Sequence, residues 1–222
     1  MKKKILLIHY YSGAGGKFVS NCLSYSKQVA FPNYDKALAI LKTNDLSLID
    51  QYALATIPEK INSRRWHSYE EGCHRLFGPG IMNIEFGVPF NDTLLYDILH
   101  DMSKFDNIWL PKMSHNPEQF NRLTSFFSND EVFTIFLDST PEFIDLAIRK
   151  KWPMEHHCLD LDGYKIFQEN STSINFDFYI RNWNPLIVEN HNIITNLATK
   201  IGINFDITLC KKYIEKYINF HL

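Results

Sequence analysis

Several things are missing from this chain, and each absence excludes a class of protein. No apolar run is long enough to cross a membrane, and the opening "MKKKILLIHYYSG" has a basic tip but a short apolar stretch interrupted by His9. Neither a signal peptide nor a membrane span is therefore expected, and a cytoplasmic location is. Cysteine is sparse: the four thiols, Cys22, Cys73, Cys158 and Cys210, are scattered over 222 residues, so reduced thiols are expected in place of a disulfide framework. An excess of positive charge is also lacking, since 23 Lys and Arg against 25 Asp and Glu give a net charge of -2. That balance argues against a dedicated nucleic-acid partner. The stretches holding Cys73 and His74, and Glu155, His156, His157 and Cys158, carry metal-binding residue types without the paired spacing of a zinc module. No metal is expected. There is no internal repeat and no low-complexity linker to divide the chain.

What is present is a globular composition, 45% apolar and 14% aromatic, sufficient for one core, so residues 1–222 are read as a single domain. "KKILLIHY" is a compact apolar run ended by a glycine turn, the pattern of a strand buried on both faces. "KFVSNCLSYSKQ" follows as an amphipathic helix with Phe18, Val19, Cys22 and Leu23 on one side. "DKALAILKT", "DLSLIDQYALATI" and "DTLLYDILHDMS" read as further helices, with broken, loop-like sequence over 58–91. "NIWLPKMSH" is a second strand and "NPEQFNRLTSFFS" a helix. "EVFTIFLDS" is a third strand, and "PEFIDLAIRKK" is a helix with Pro at its first turn. Two helices close the chain, within 184–203 and 206–220. Strands alternating with helices predict an α/β fold with a mostly parallel central sheet covered on both faces, a three-layer α/β/α arrangement.

The first strand-to-helix turn, "HYYSGAGGKFVSN", holds three glycines and a lysine. Such a turn exposes backbone N–H groups at the positive end of a helix dipole, where an oxyanion is favoured. The dinucleotide fingerprint fits at Gly13 and Gly15 but meets Phe18 at its third glycine. The Walker pattern fits at Gly16 and Lys17, with Tyr11 at its first glycine and Phe18 where a Ser or Thr would ligate Mg²⁺. A loop so altered keeps its anion cradle and loses a metal ligand. A tight structural turn without a ligand is the competing reading.

A group-transferring P-loop family that uses no metal is the sulfotransferase superfamily, and the chain resembles it in patches. "LIHYYSGAGGKFVSN" resembles its donor-binding loop, "WLPKMSHNPEQF" its middle-strand element with Lys112, Ser114, His115 and Pro117, and "NFDFYIRNW" the stretch before its last two helices. The resemblance implies a P-loop nucleoside triphosphate hydrolase-like fold. It also implies transfer of a sulfuryl group from 3′-phosphoadenosine 5′-phosphosulfate (PAPS) to a hydroxyl or amine of a small-molecule, glycan or peptide acceptor. Under it, Ser12, Gly13, Ala14, Gly15, Gly16, Lys17, Phe18 and Val19 form the donor loop. His115 is the general base, Lys17 stabilises the transferred group, and Lys112 assists. The family's Arg-x-Pro and later Ser, which grip the donor's 3′-phosphate, are replaced by Ser139 and Ala147 around a retained Pro141. Arg149 is the expected substitute. Two other readings stay open: a Mg-ATP-dependent kinase using Asp138 with Arg64, Arg65 or Arg149 as clamps, and a nonenzymatic nucleotide- or anion-binding protein.

Overall fold

The segment KILLIHY forms strand β1, Lys4–Tyr10, whose residues from Ile5 onward are all buried, as an apolar run covered on both faces should be. It is the hub of the computed structural model, which describes residues 2, 4–11, 13–29, 34–42, 108–149 and 160–222. On one side β1 pairs in parallel with β2, Trp109–Ser114; on the other it pairs with β3, Glu131–Ser139, which in turn pairs with β4, Phe178–Trp183. The four described strands thus lie in the order β2-β1-β3-β4, all parallel. The chain leaves β1 to one side and returns past it to β3. Their loops therefore part at the carboxyl edge, the place where open parallel sheets hold ligands.

Helices cover both faces of this sheet. Leu6, Ile8 and Tyr10 lie on the face of α1 (Gly16–Leu23), while His9 lies on the other, against Phe120 of α3 (Pro117–Phe126) and Phe167 of α5 (Leu161–Ser171). On the first face α1 packs on α6 (Asn190–Lys200) and α7 (Ile207–His221), and α7 packs on α2 (Tyr34–Lys42). On the second, α5 packs on α3 and on α4 (Pro141–Arg149). The expected mixed α/β architecture with a parallel sheet is present. Among the described residues no helix is long and apolar enough to cross a membrane.

The expected stripe of α1 is also present, with Phe18, Val19, Cys22 and Leu23 fully enclosed. The helix ends at Leu23, earlier than its apolar pattern suggests: the amides that follow turn to tighter i−3 bonds, Tyr25 to the Cys22 carbonyl at 3.3 Å and Ser26 to the Leu23 carbonyl at 3.1 Å. Helix α5 and strand β4 are additions to the sequence reading. Strand β4 buries only Ile180 and Trp183, and the register Leu137↔Ile180 followed by Ser139↔Trp183 contains one extra residue at the bulge, where Asn182 takes φ 53°. That residue moves Trp183 onto the face of β4 that Ile180 occupies, the face of α1. The expected helices over 45–57 and 92–103 and the broken region 58–91 lie outside the described residues.

Candidate functional site

Tyr11 and residues 13–15 lie between β1 and α1 at the carboxyl edge of the sheet. Gly13 and Gly15 hold φ of 84° and 83°, a left-handed backbone that favours glycine. Between them the Ala14 amide bonds the Tyr11 carbonyl at 2.8 Å, and the Ala14 carbonyl accepts from the indole Nε1 of Trp183 at 2.7 Å. Trp183, delivered by the bulge of β4, thus clamps the turn. A Cβ at Gly15 would meet Pro185 Cγ at 3.1 Å and Trp183 Nε1 at 3.3 Å.

Gly15 is the N-cap of α1 and has no side chain to cap it, while its carbonyl takes the Val19 amide at 3.3 Å. The amides of Gly16, Lys17 and Phe18 precede that first bond, so helix geometry gives them no acceptor of their own. Three N–H groups at the positive end of a helix suit an oxyanion. The turn is also packed from below: Ala14 and Gly16 are buried, and the Tyr10 ring lies directly against Gly16. Close packing alone therefore accounts for Gly16, and backbone conformation for Gly13 and Gly15.

Phe18, at the place of a metal-ligating hydroxyl, points into the core, with ring centroids 4.6 Å from Tyr217, 5.7 Å from Trp183 and 5.8 Å from Tyr213. It fastens α1 to α7 and offers a ligand only its amide. Val19 likewise spends its amide on Gly15 and its side chain on the core, so it brings no polar group to the loop. Tyr11 packs on the other side of the sheet's edge, its ring 5.4 Å from Tyr164 and its hydroxyl donating to the Asp160 carbonyl at 3.2 Å. Ser12 lies outside the described residues.

His115 follows the last residue of β2. Its ring meets that of Tyr10 edge-on at 4.5 Å, and its Nδ1 is 3.3 Å from the Tyr10 carbonyl. A carbonyl only accepts, so Nδ1 carries the proton of the neutral ring and Nε2 is the basic nitrogen, which is enclosed in this structure. Tyr10 touches both His115 and Gly16, which brings the expected base and the expected anion loop to one neighbourhood. Lys17 is the second residue of α1, and Lys112 stands opposite Leu7 in β2.

At the end of β3, Ser139 is buried, its hydroxyl has no hydrogen-bond partner among the described residues, and its carbonyl accepts from Tyr164. Asp138 accepts from Gln168 Nε2 at 2.6 Å and shares, at 3.2 Å, the single proton that Tyr164 Oη directs mainly to the Ser139 carbonyl. Burial, with the Asp138 charge behind it, holds the Tyr164 phenol well above its ordinary pKa, so it stays a donor. Arg149 is not brought to the loop. It closes α4, roughly 12 Å along the helix from its start at Pro141, exposed and ion-paired with Asp145 at 2.7 Å. Ala147 is buried in the core. Arg64, Arg65, Cys73, His74 and 155–158 lie outside the described residues. Among the described residues no three His, Cys, Asp or Glu side chains gather as a metal site.

One constellation escapes sequence reasoning. His9 is wholly buried, with Nδ1 2.9 Å from Ser114 Oγ and Nε2 3.0 Å from Ser171 Oγ. The available signal was a histidine inside a strand buried on both faces, which must find partners. Comparison of the chain with protein families, curated proteins and solved structures finds no match.

Proposed function

We propose that the chain holds a phosphate- or sulfate-bearing nucleotide at the N-terminus of α1 and acts as a metal-independent, sulfotransferase-like enzyme with a P-loop type of fold. The observation that carries the reading is the start of α1, with the Gly16, Lys17 and Phe18 amides, at the parting of the β1 and β3 loops, linked to His115 through Tyr10, which touches both His115 and Gly16. In this reading the amides and Lys17 neutralise the donor's bridging oxygen. Nε2 of His115 takes the proton of an acceptor hydroxyl or amine as the new bond to sulfur forms. The bond from sulfur to the donor phosphate breaks, leaving 3′-phosphoadenosine 5′-phosphate. The burial of Phe18 supports this over ATP chemistry, because nothing at that position supplies a Mg²⁺ ligand, and Asp138 is already engaged by Tyr164 and Gln168.

A binding protein without turnover is the second reading. The packing of Gly15 and Gly16 against Trp183, Pro185 and Tyr10 favours it, since that packing explains these glycines without a reaction. A melting-temperature panel separates the readings. At a hundredfold excess over Kd, 3′-phosphoadenosine 5′-phosphate without Mg²⁺ should stabilise the protein by about 2.7 kcal/mol, a rise of roughly 5–10 °C. The rise should vanish in Lys17→Ala. Stabilisation by ATP that requires Mg²⁺ would sink the sulfuryl-transfer reading in favour of a kinase. No shift with either nucleotide would remove nucleotide binding altogether.

A further inference from the structure

The hydrogen-bond partners of His9 fix where its proton sits. Ser171 Oγ gives its proton to the Phe167 carbonyl at 2.7 Å, one turn back in α5. Toward His9 that hydroxyl therefore only accepts, which places the imidazole proton on Nε2. The lone pair on Nδ1 is left to accept the hydroxyl proton of Ser114. That hydroxyl has a second acceptor, the Asn116 carbonyl at 3.2 Å, but the shorter bond is to His9 at 2.9 Å.

The surroundings enforce this state. The ring is enclosed by Phe120 of α3, Phe136 of β3, Phe167 of α5 and Phe176, with centroids 4.8–5.7 Å away. The titratable side chain acting on it is His115, whose charge opposes a second positive charge there. No carboxylate among the described residues offsets a cation at this point, and burial, the largest influence, outweighs a backbone hydrogen bond with Ser114 that favours the charged ring.

We infer that His9 is a positioning residue for His115: its neutral, Nε2-protonated ring holds Ser114, the last residue of β2, and so sets where the next residue meets the Tyr10 carbonyl. The His115 bond to Tyr10, at 3.3 Å, is near the long limit of a hydrogen bond, so a small displacement of Ser114 breaks it. His9 touches no ligand; it acts through Ser114. The same ring ties α5 to β2 through Ser171, so three elements that are distant in sequence share one fixed point. The inference rests on the reading of His115 as the base only for its consequence in catalysis; the geometry it predicts is measurable without any ligand.

Long-range ¹H–¹⁵N spectra of the imidazole rings in the full chain test it. In the wild type, His9 should show one neutral tautomer with the proton on Nε2, unchanged from pH 5.5 to 7.5, and His115 should be protonated on Nδ1 when neutral. A His9 ring that titrates in that range, or carries its proton on Nδ1, overturns the inference. In Ser114→Ala, and in His9→Phe, which keeps an aromatic ring among aromatic neighbours, His115 should lose its single tautomer and show a mixture. The single Nδ1–H form persisting in both folded variants would also overturn it. Should neither variant fold, the wild-type spectrum decides. Failure of 3′-phosphoadenosine 5′-phosphate to bind the wild type would count against the proposed function and leave these spectra standing.

Discussion

Gly16→Ala should destabilise the protein by about 3 kcal/mol or more, lowering its melting temperature by roughly 6–12 °C. In an ordinary helix the same change is worth about 1 kcal/mol in the opposite direction, because alanine is the better helix former. Here the added Cβ would lie 2.0, 2.3 and 2.4 Å from three atoms of the Tyr10 ring. The ring has nowhere to go: Tyr10 is buried, and its ring is met edge-on by His115. Steric cost therefore exceeds the gain in propensity. Chemical denaturation of the variant without ligand measures it. An unchanged or raised stability would show that the turn does not sit on Tyr10, and with it the link from His115 to the loop would fall.

Acid should weaken the fold through His9, with a definite sign. Burial, and secondarily the charge of His115, lowers its pKa from 6.5 to about 3 in the folded protein. Between those values the unfolded chain binds a proton that the folded chain refuses. Stability from this group is thus fully present above pH 6.5 and is lost as pH falls, by about 1.4 kcal/mol per unit. From pH 6 to pH 4 the loss approaches roughly 2–3 kcal/mol. His9→Phe removes this dependence, and the variant keeps acceptors for both serine hydroxyls, Ser171 to Phe167 and Ser114 to Asn116. The check is the difference between wild-type and variant unfolding free energies across that range, in which the carboxylates cancel. Parallel curves would mean that His9 is protonated alike in both states.

How much of this was legible in the sequence depends on how local each feature is. Strand β3 was readable to its ends because 132–137 is an apolar run interrupted only by Thr134 and bounded by polar residues, and α4 because Pro141 opens it. The face of α1 was readable from the spacing of Phe18, Val19, Cys22 and Leu23. Strand β4 was not, since only Ile180 and Trp183 are buried and the bulge at Asn182 breaks the period of two. The glycine turn was visible, yet its glycines meant two things at once. An anion cradle needs them, and so does a Tyr10 ring packed beneath Gly16 and a Trp183 indole bonded to Ala14. Arg149 looked available as a phosphate clamp, although the helix predicted from Pro141 already sets it two turns along, at i,i+4 from Asp145. The His9 constellation was hidden because its partners are 105 and 162 residues away.

The direct test of an oxyanion site at α1 is an amide-resolved titration of ¹⁵N-labelled protein with 3′-phosphoadenosine 5′-phosphate in the absence of Mg²⁺. Saturable shifts are expected, largest at the amides of Gly15, Gly16, Lys17 and Phe18, with the Trp183 indole N–H following because it is bonded to the same turn. Saturable binding that leaves those amides unmoved, or no binding at all, would contradict it.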